Sequence, residues 1–449
     1  MTLIWQKSAF GNWLQRKLRK DTFGYRTSIL AGGTALGQVL ALLAAPILTR
    51  LYTVQDFGNL QAYVTILGFG FVVVAMRYEL AILLPTEEAE AANVVVLGLV
   101  TVLLTSLAYA GLLGMLLIFD LFPAAIGPVH SYLWLVPVSM GGAGVYLVLS
   151  YWALRQKEYV LVAKTKVTQA VGQIATQLIL GAGFKLGFLG LLLGDAIGRV
   201  SGSLLFIDLV KQRSRQVFRA VTWRGMWKVA LRYKSFPLVS SGSALINTAG
   251  FGVPILLIGS EYGGTVLGWF ALVDRIMNVP LAIIGQAVAQ VYMAEASALA
   301  GTDPAALRQL FLRRLGQLAL LALIPFLIVF VSAPWFVSLV FGESWREAGY
   351  FARILVPMNY VGFVVWPLMS TLSLLERQKW QFGWDVARLL ITTTSLTAAH
   401  GINGDARMAV AAYGFAMLVC YALHAYLSYK AIGCRIPRTE SITRQDNQP

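Results

Sequence analysis

Nine charged side chains fall inside, or at the ends of, stretches of sequence that are otherwise apolar: Arg77, Glu79, Asp195, Arg199, Asp274, Arg275, Arg353, Asp385 and Arg388. Asp274 and Arg275 are neighbours. On a helix they point about 100° apart, so they neutralise each other poorly and at least one needs a partner elsewhere or water. Asp195 and Arg199 are i,i+4 with the acid first, the favourable order for a pair on one helix face. They read either as a self-neutralised pair or as a lumen or coupling-ion site. Asp385 and Arg388 are i,i+3 near the end of a stretch, which favours the pair. Arg77 either snorkels to headgroups or stands with Glu79 at the mouth of a passage. Arg353 reads as a headgroup anchor or as a receiver for a departing anion. Arginine stays charged and grips phosphate in a bidentate fork, so Arg275, Arg199, Arg77, Arg353 and Arg388 are candidate anion ligands. Asp274, Asp195, Asp385 and Glu79 are candidate carriers of a coupling H+ or Na+, or charge partners. His130, His400 and His424 stand singly and suggest no site. Cys420 and Cys434 form neither a metal set nor a disulfide framework.

The elements that position these groups follow from composition. Of 449 residues, 57% are hydrophobic and 13% charged. A soluble chain carries about 25% charged residues, so this one cannot cover a water-facing surface of its size. Disorder is excluded by the same hydrophobicity. An all-α integral membrane protein remains, because lipid leaves no backbone group unpaired and the apolar runs are too long for barrel strands. Twelve apolar segments are predicted to span, at 27–49, 60–80, 92–118, 131–153, 162–183, 187–209, 236–259, 264–290, 315–340, 349–373, 383–400 and 407–429. Within them an ionisable group costs about 2.5–3.5 kcal/mol and should face protein or a wet cavity.

The net charge is +15. In this setting it is read as topology, since basic residues collect on the cytoplasmic side. Nucleic acid is not an expected partner. With both termini inside, 28 of the 36 basic residues fall on the cytoplasmic side, Lys164 and Lys166 among them; 5 fall outside and 3 lie within spans. The predicted organisation is a basic arm (1–26), six spans (27–210), a basic cytoplasmic loop (211–235), six more spans (236–430) and a tail (431–449). The loop carries eight basic residues and no acid up to 234, which suits anionic lipid as well as orientation.

The two halves echo each other. Gly33-Thr34-Ala35-Leu36 returns as Gly242-Ser243-Ala244-Leu245, Ala45-Pro46-Ile47-Leu48 as Val253-Pro254-Ile255-Leu256, and Gly58 as Gly268, at offsets of 209, 208 and 210. Both halves begin on the same side, which makes the repeat parallel. Gly33 and Gly37, and Gly190, Gly194 and Gly198, have the spacing that lets helix backbones approach closely; packing is their predicted role.

Four segments, RYELAILLP (Arg77–Pro85), YWALRQKEY (Tyr151–Tyr159), GFLGLLLGDAIGR (Gly187–Arg199) and DRIMNVPLAIIGQAVAQVY (Asp274–Tyr292), taken in order resemble the Wzx-type polysaccharide and O-antigen flippases of the multidrug/oligosaccharidyl-lipid/polysaccharide (MOP) exporter superfamily. The resemblance covers most of residues 25–430. It implies two six-helix lobes around a central cavity, no cofactor, and an undecaprenyl-pyrophosphate-linked oligosaccharide moved from the inner to the outer leaflet of the bacterial inner membrane. Polysaccharide-assembly proteins are implied partners. The DR…P of the eighth span is similar to the lipid II flippase branch, whose basic residue there lines the cavity; that role carries over to Arg275. The first span lacks the charges of that branch between Thr27 and Thr49, which makes lipid II a poorer cargo.

Alternating access of the two lobes is the expected mechanism. There is no Walker A pattern, so a membrane potential or an H+ or Na+ gradient would drive it. Two other readings stay open. A MATE-like cation-coupled small-molecule exporter would want unpaired acids in its cavity, and here each deep acid has an arginine within four residues. A membrane enzyme of polysaccharide assembly, such as a polymerase or ligase, would want a large external loop; the outer loops are short and no D-x-D pattern occurs.

Overall fold

The computed structural model describes residues 23–122, 127–213 and 215–433. Most of the basic arm and of the tail, with Cys434, lies outside the described residues. The described chain is helical throughout. Its main helices are α1 (Phe23–Leu51), α2 (Val54–Phe71), α3 (Glu88–Ile118), α4 (Leu135–Arg155), α5 (Tyr159–Leu178), α6 (Phe188–Ser201), α7 (Leu204–Arg213), α8 (Trp223–Arg232), α9 (Ser241–Pro280), α10 (Gln286–Leu299), α11 (Pro304–Phe341), α12 (Arg346–Val365), α13 (Gln378–Asn403) and α14 (Ala406–Gly433).

Among the described residues, eight helical stretches are long and apolar enough to cross a membrane by length and composition alone. One of them, 236–299, passes twice, because Gly263 (φ 85°, ψ 169°) breaks α9 in a conformation that only glycine takes easily. The short α2 and the polar α5 and α13 complete twelve passes, in register with the twelve apolar segments. The two polar helices hold equivalent places. α5 packs on the first and sixth helices of its half, α1 and α6. α13 packs on the corresponding passes of the other half, the first pass of α9 and α14. Their buried polar groups, Thr165 and Gln177 on α5 and Asp385, Arg388 and Thr392 on α13, are shielded within the protein.

α1–α6 form one lobe and α9–α14 the other, joined by α7 and α8. Glycines set the packing in the first lobe. Gly33 and Gly37 bring α1 onto the backbone of Ala163 and Lys166, and Gly190, Gly194 and Gly198 press α6 onto Tyr52, Gln177 and Gln173. Between lobes the main contact is α2 along α9. At the end away from the termini the lobes close on each other. Trp345, fully buried, donates its indole N–H to the Thr49 carbonyl (3.3 Å) and meets the edge of Phe57 (ring centroids 5.1 Å apart).

Two sequence expectations are corrected. The second span is not one helix over 60–80: α2 ends at Phe71 and the chain turns through 72–77, where Met76 (φ 48°) and Arg77 (φ 61°) are left-handed. The β-branched run Val72–Val74 is poorly suited to continue a helix, and Thr105 takes over the Val74 carbonyl with a 2.6 Å hydrogen bond. The 211–235 segment is not a loop. It is largely helical, with a short helix at Arg215–Arg219 before α8.

Candidate functional site

The glycine face of α6 packs on α5, which turns Asp195 and Arg199 about 100° away from it. The two side chains form a bidentate pair, Nε to Oδ2 at 2.6 Å and Nη2 to Oδ1 at 3.1 Å. Self-neutralisation is therefore real. Yet Arg199 keeps 27% of its side chain accessible while deep in the protein. Tyr63 of α2, bonded to Ser139 (2.8 Å), lies within electrostatic reach of both members of the pair.

Arg275 comes to this pair from the other lobe. It sits on the second pass of α9 and donates through Nη2 to the Ala41 carbonyl of α1 (3.3 Å), within electrostatic reach of Asp195. Asp274 turns the other way. It accepts from the Asn278 amide (2.8 Å) and lies within reach of Tyr413 and Tyr421 on α14. The adjacent charges thus face different lobes, as their helical spacing requires. Both are surrounded by protein but only half-buried.

Lys166 belongs with this group by the same criterion. On α5, deep and half-buried, it places Nζ 4.8 Å from the Tyr146 ring centroid, and among the described residues it has no acidic partner. In the sequence it counts with Lys164 among the basic residues of the cytoplasmic side. The signal that separates them is their i,i+2 spacing, which puts them on opposite sides of the helix; Lys164 is exposed.

The structure does not bring Arg388, Arg353 or Arg77 to this place. Arg388 is 1% exposed. It is held by Asp385 (3.1 Å) and the Asn247 carbonyl (2.9 Å), and it is stacked on Phe251 (3.9 Å) and Trp384 (4.6 Å). Asp385 also accepts from Asn247 (2.8 Å) and Gln381 (3.3 Å), and Gln381 meets His424 (2.9 Å). Only its Nη2 is hydrogen-bonded and its Nε is buried without a partner among the described residues; what sets it apart from the candidate anion ligands is that solvent does not reach it in this conformation. Arg353 has a backbone duty. Pro334 lacks the N–H that the Phe330 carbonyl would accept, and Arg353 Nε supplies it at 2.8 Å, with Nη2 on Val331 O at 2.9 Å. Arg77 lies in the 72–77 turn, 3.7 Å from Glu79; Glu79 is buried and its Oε2 has no hydrogen bond among the described residues. This loose pair stands at the end of the bundle that carries the termini.

Two lobes of six helices meet at a boundary lined by charged groups, an arrangement shared with solved structures of the MOP superfamily. The chain is similar in fold to an inward-facing multidrug-resistance MATE family transporter of that superfamily (14% identity, 93% of this chain and 97% of that one, TM-score 0.63). It is also similar to a Vibrio cholerae MATE transporter (15%, 94% and 97%, 0.60) and to a MOP superfamily transporter from Pyrococcus furiosus described as having a binding pocket of reversed polarity (14%, 91% and 96%, 0.61). No curated protein matches the chain in sequence. Residues 47–349 match the model of a family described as polysaccharide biosynthesis protein; the chain belongs to that family and is a multi-pass membrane protein.

Proposed function

We propose that this protein is a flippase that carries a polyprenyl-pyrophosphate-linked oligosaccharide from the inner to the outer leaflet of the bacterial inner membrane by alternating access. The observation that carries the reading is that Arg275 of one lobe bonds the Ala41 carbonyl of the other, within electrostatic reach of Asp195. A diphosphate entering between the lobes meets the accessible edge of Arg199 and the N–H groups of Arg275, whose one direct hydrogen bond among the described residues is to a carbonyl. It also competes with Asp195 for Arg275, so cargo binding alters a contact between lobes. That is the differential contact a ligand needs in order to shift a conformational equilibrium. Family membership in polysaccharide biosynthesis supports a glycan cargo, and arginine and lysine at the boundary support an anionic headgroup. The lipid tail stays in the bilayer.

A membrane potential negative inside drives an anion outward by about 2.3 kcal/mol per charge per 100 mV. If an ion is coupled, Asp274 is the favoured carrier, because Asp195 and Asp385 are held by arginines. Asp274 is also the feature that favours the second reading, a cation-coupled small-molecule exporter.

The test is reconstitution in vesicles with a labelled polyprenyl-pyrophosphate glycan. Protein-dependent transfer of the label to the opposite leaflet supports the flippase. No transfer, with uptake of a cationic dye, supports the exporter. In cells lacking the protein, complete lipid-linked units should accumulate in the inner leaflet; incomplete units would indicate an enzyme of assembly.

A further inference from the structure

α8 joins the two lobes and has three distinct stripes at i,i+4 spacing. Gly225 and Val229 dock on the first lobe. A Cβ on Gly225 would stand 2.5 Å from Asn93 Oδ1, and Val229 is buried. Thr222 caps the helix through the Gly225 N–H (3.1 Å), its own N–H donates to Asn93 Oδ1 (3.2 Å), and Arg232 pairs with Glu90 (2.5 Å). These contacts hold α8 against the start of α3. The second stripe, Trp223, Trp227 and Leu231, is apolar and 74%, 62% and 54% exposed. The third, Arg224, Lys228 and Arg232, is cationic and exposed. Before α8, Val210, Phe218, Arg215 and Arg219 line an open, mostly apolar groove of 580 Å³ with two arginines at it. Beyond it, exposed Leu238 and Val239 continue the apolar surface into the next pass.

A docked stripe, a tryptophan stripe and a basic stripe on one helix match the three surroundings at a membrane face: protein, acyl boundary and phosphate layer. Eight basic residues and no acid between 211 and 235 fix the charge of the partner. We propose that α8 lies in the plane of the leaflet on the termini side and seats the linker on anionic phospholipid. Trp223, Trp227 and Leu231 enter the acyl boundary; Arg224, Lys228, Arg215 and Arg219 hold lipid phosphates. The linker is then a strut fixed to the first lobe and to the membrane, against which the second lobe moves.

The experiment uses the full chain with Cys434→Ser, Cys420 being buried, and an environment-sensitive fluorophore on Leu231→Cys. The protein is placed in nanodiscs of phosphatidylglycerol and phosphatidylcholine in equal parts, or of phosphatidylcholine alone, each with a shallow spin-labelled lipid. Strong quenching in the anionic discs, weaker quenching in the neutral ones, and loss of that difference in Arg224→Gln/Lys228→Gln are expected. Each neutralised cation should lower the preference for anionic lipid roughly five-fold. Emission typical of water in anionic discs would overturn the proposal and leave the stripe to a soluble protein or a second copy. Equal quenching in both lipids would also overturn it, reducing α8 to a neutral anchor. If the double variant does not fold, native mass spectrometry of the unsubstituted protein decides: retention of phosphatidylglycerol over phosphatidylcholine supports the proposal, and equal retention refutes it.

Discussion

Gly58 and Gly268 hold equivalent places in the two halves of the sequence and meet across the lobe boundary. A Cβ on Gly58 would run into the Gly264 carbonyl, and a Cβ on Gly268 into the Val54 carbonyl. Both glycines lie 210 residues apart, and so do Val54 and Gly264. The contact is thus reciprocal, as two-fold-related surfaces require. It lies at the closed end of the bundle, beside Trp345, Thr49 and Phe57.

Gly58→Ala and Gly268→Ala should wedge this end apart and have nearly equal effects. Overpacking of this kind costs about 1–3 kcal/mol. Here it should weaken closure rather than unfold either lobe, lowering export. Distances between spin labels on the two lobes would show broadening at the closed end. Gly242→Ala is the control, since a Cβ there meets nothing within 4 Å; a loss equal to that of the other two would refute the reciprocal contact.

Arg275→Glu should abolish polysaccharide export while leaving the protein inserted and folded, because Arg275 is half-buried and, among the described residues, bonded directly only to the Ala41 carbonyl. Arg275→Lys should keep part of the activity through charge alone. Lys166→Gln should lower export less. Normal export by Arg275→Glu, at wild-type protein level, would remove Arg275 from the transport path.

Arg388 should behave in the opposite way. Breaking a buried pair costs about 3–5 kcal/mol, whereas replacing both partners by apolar residues of similar size is often tolerated. Arg388→Met should therefore lower the melting temperature of the purified protein sharply, and Asp385→Leu/Arg388→Met should recover much of the loss. A stable Arg388→Met protein with no export would return Arg388 to the list of cargo ligands.

Reporters fused after residues 220 and 262 should lie on opposite sides of the membrane. The first site is just before α8 and the second at the bend of α9, one pass away. Same-side reporters would contradict the pass through 241–262.

The twelve passes, the two halves and the pairing of Asp195 with Arg199 were legible in the sequence because each depends on local properties: apolar length, basic asymmetry and i,i+4 spacing. The 72–77 turn was not, because an apolar run does not show where hydrogen bonding stops, and the carbonyl that the turn releases is taken up by Thr105, 31 residues away. α8 was read as a loop because its charge hid its three stripes. Lys166 is not told apart from Lys164 by a count of charges, because its neighbour Tyr146 lies on another helix, α4.

By itself, the amino-acid sequence determined that the chain is helical, crosses a membrane and carries arginines where lipid disfavours them, since these follow from composition and short-range spacing. Only the tertiary structure decided which arginine is sealed and which is open. Arg388 is closed in by Asn247, 141 residues distant, and Arg275 reaches Ala41, 234 residues away. The worth of a charge in a membrane is set by whatever surrounds it, and distant helices supply those surroundings.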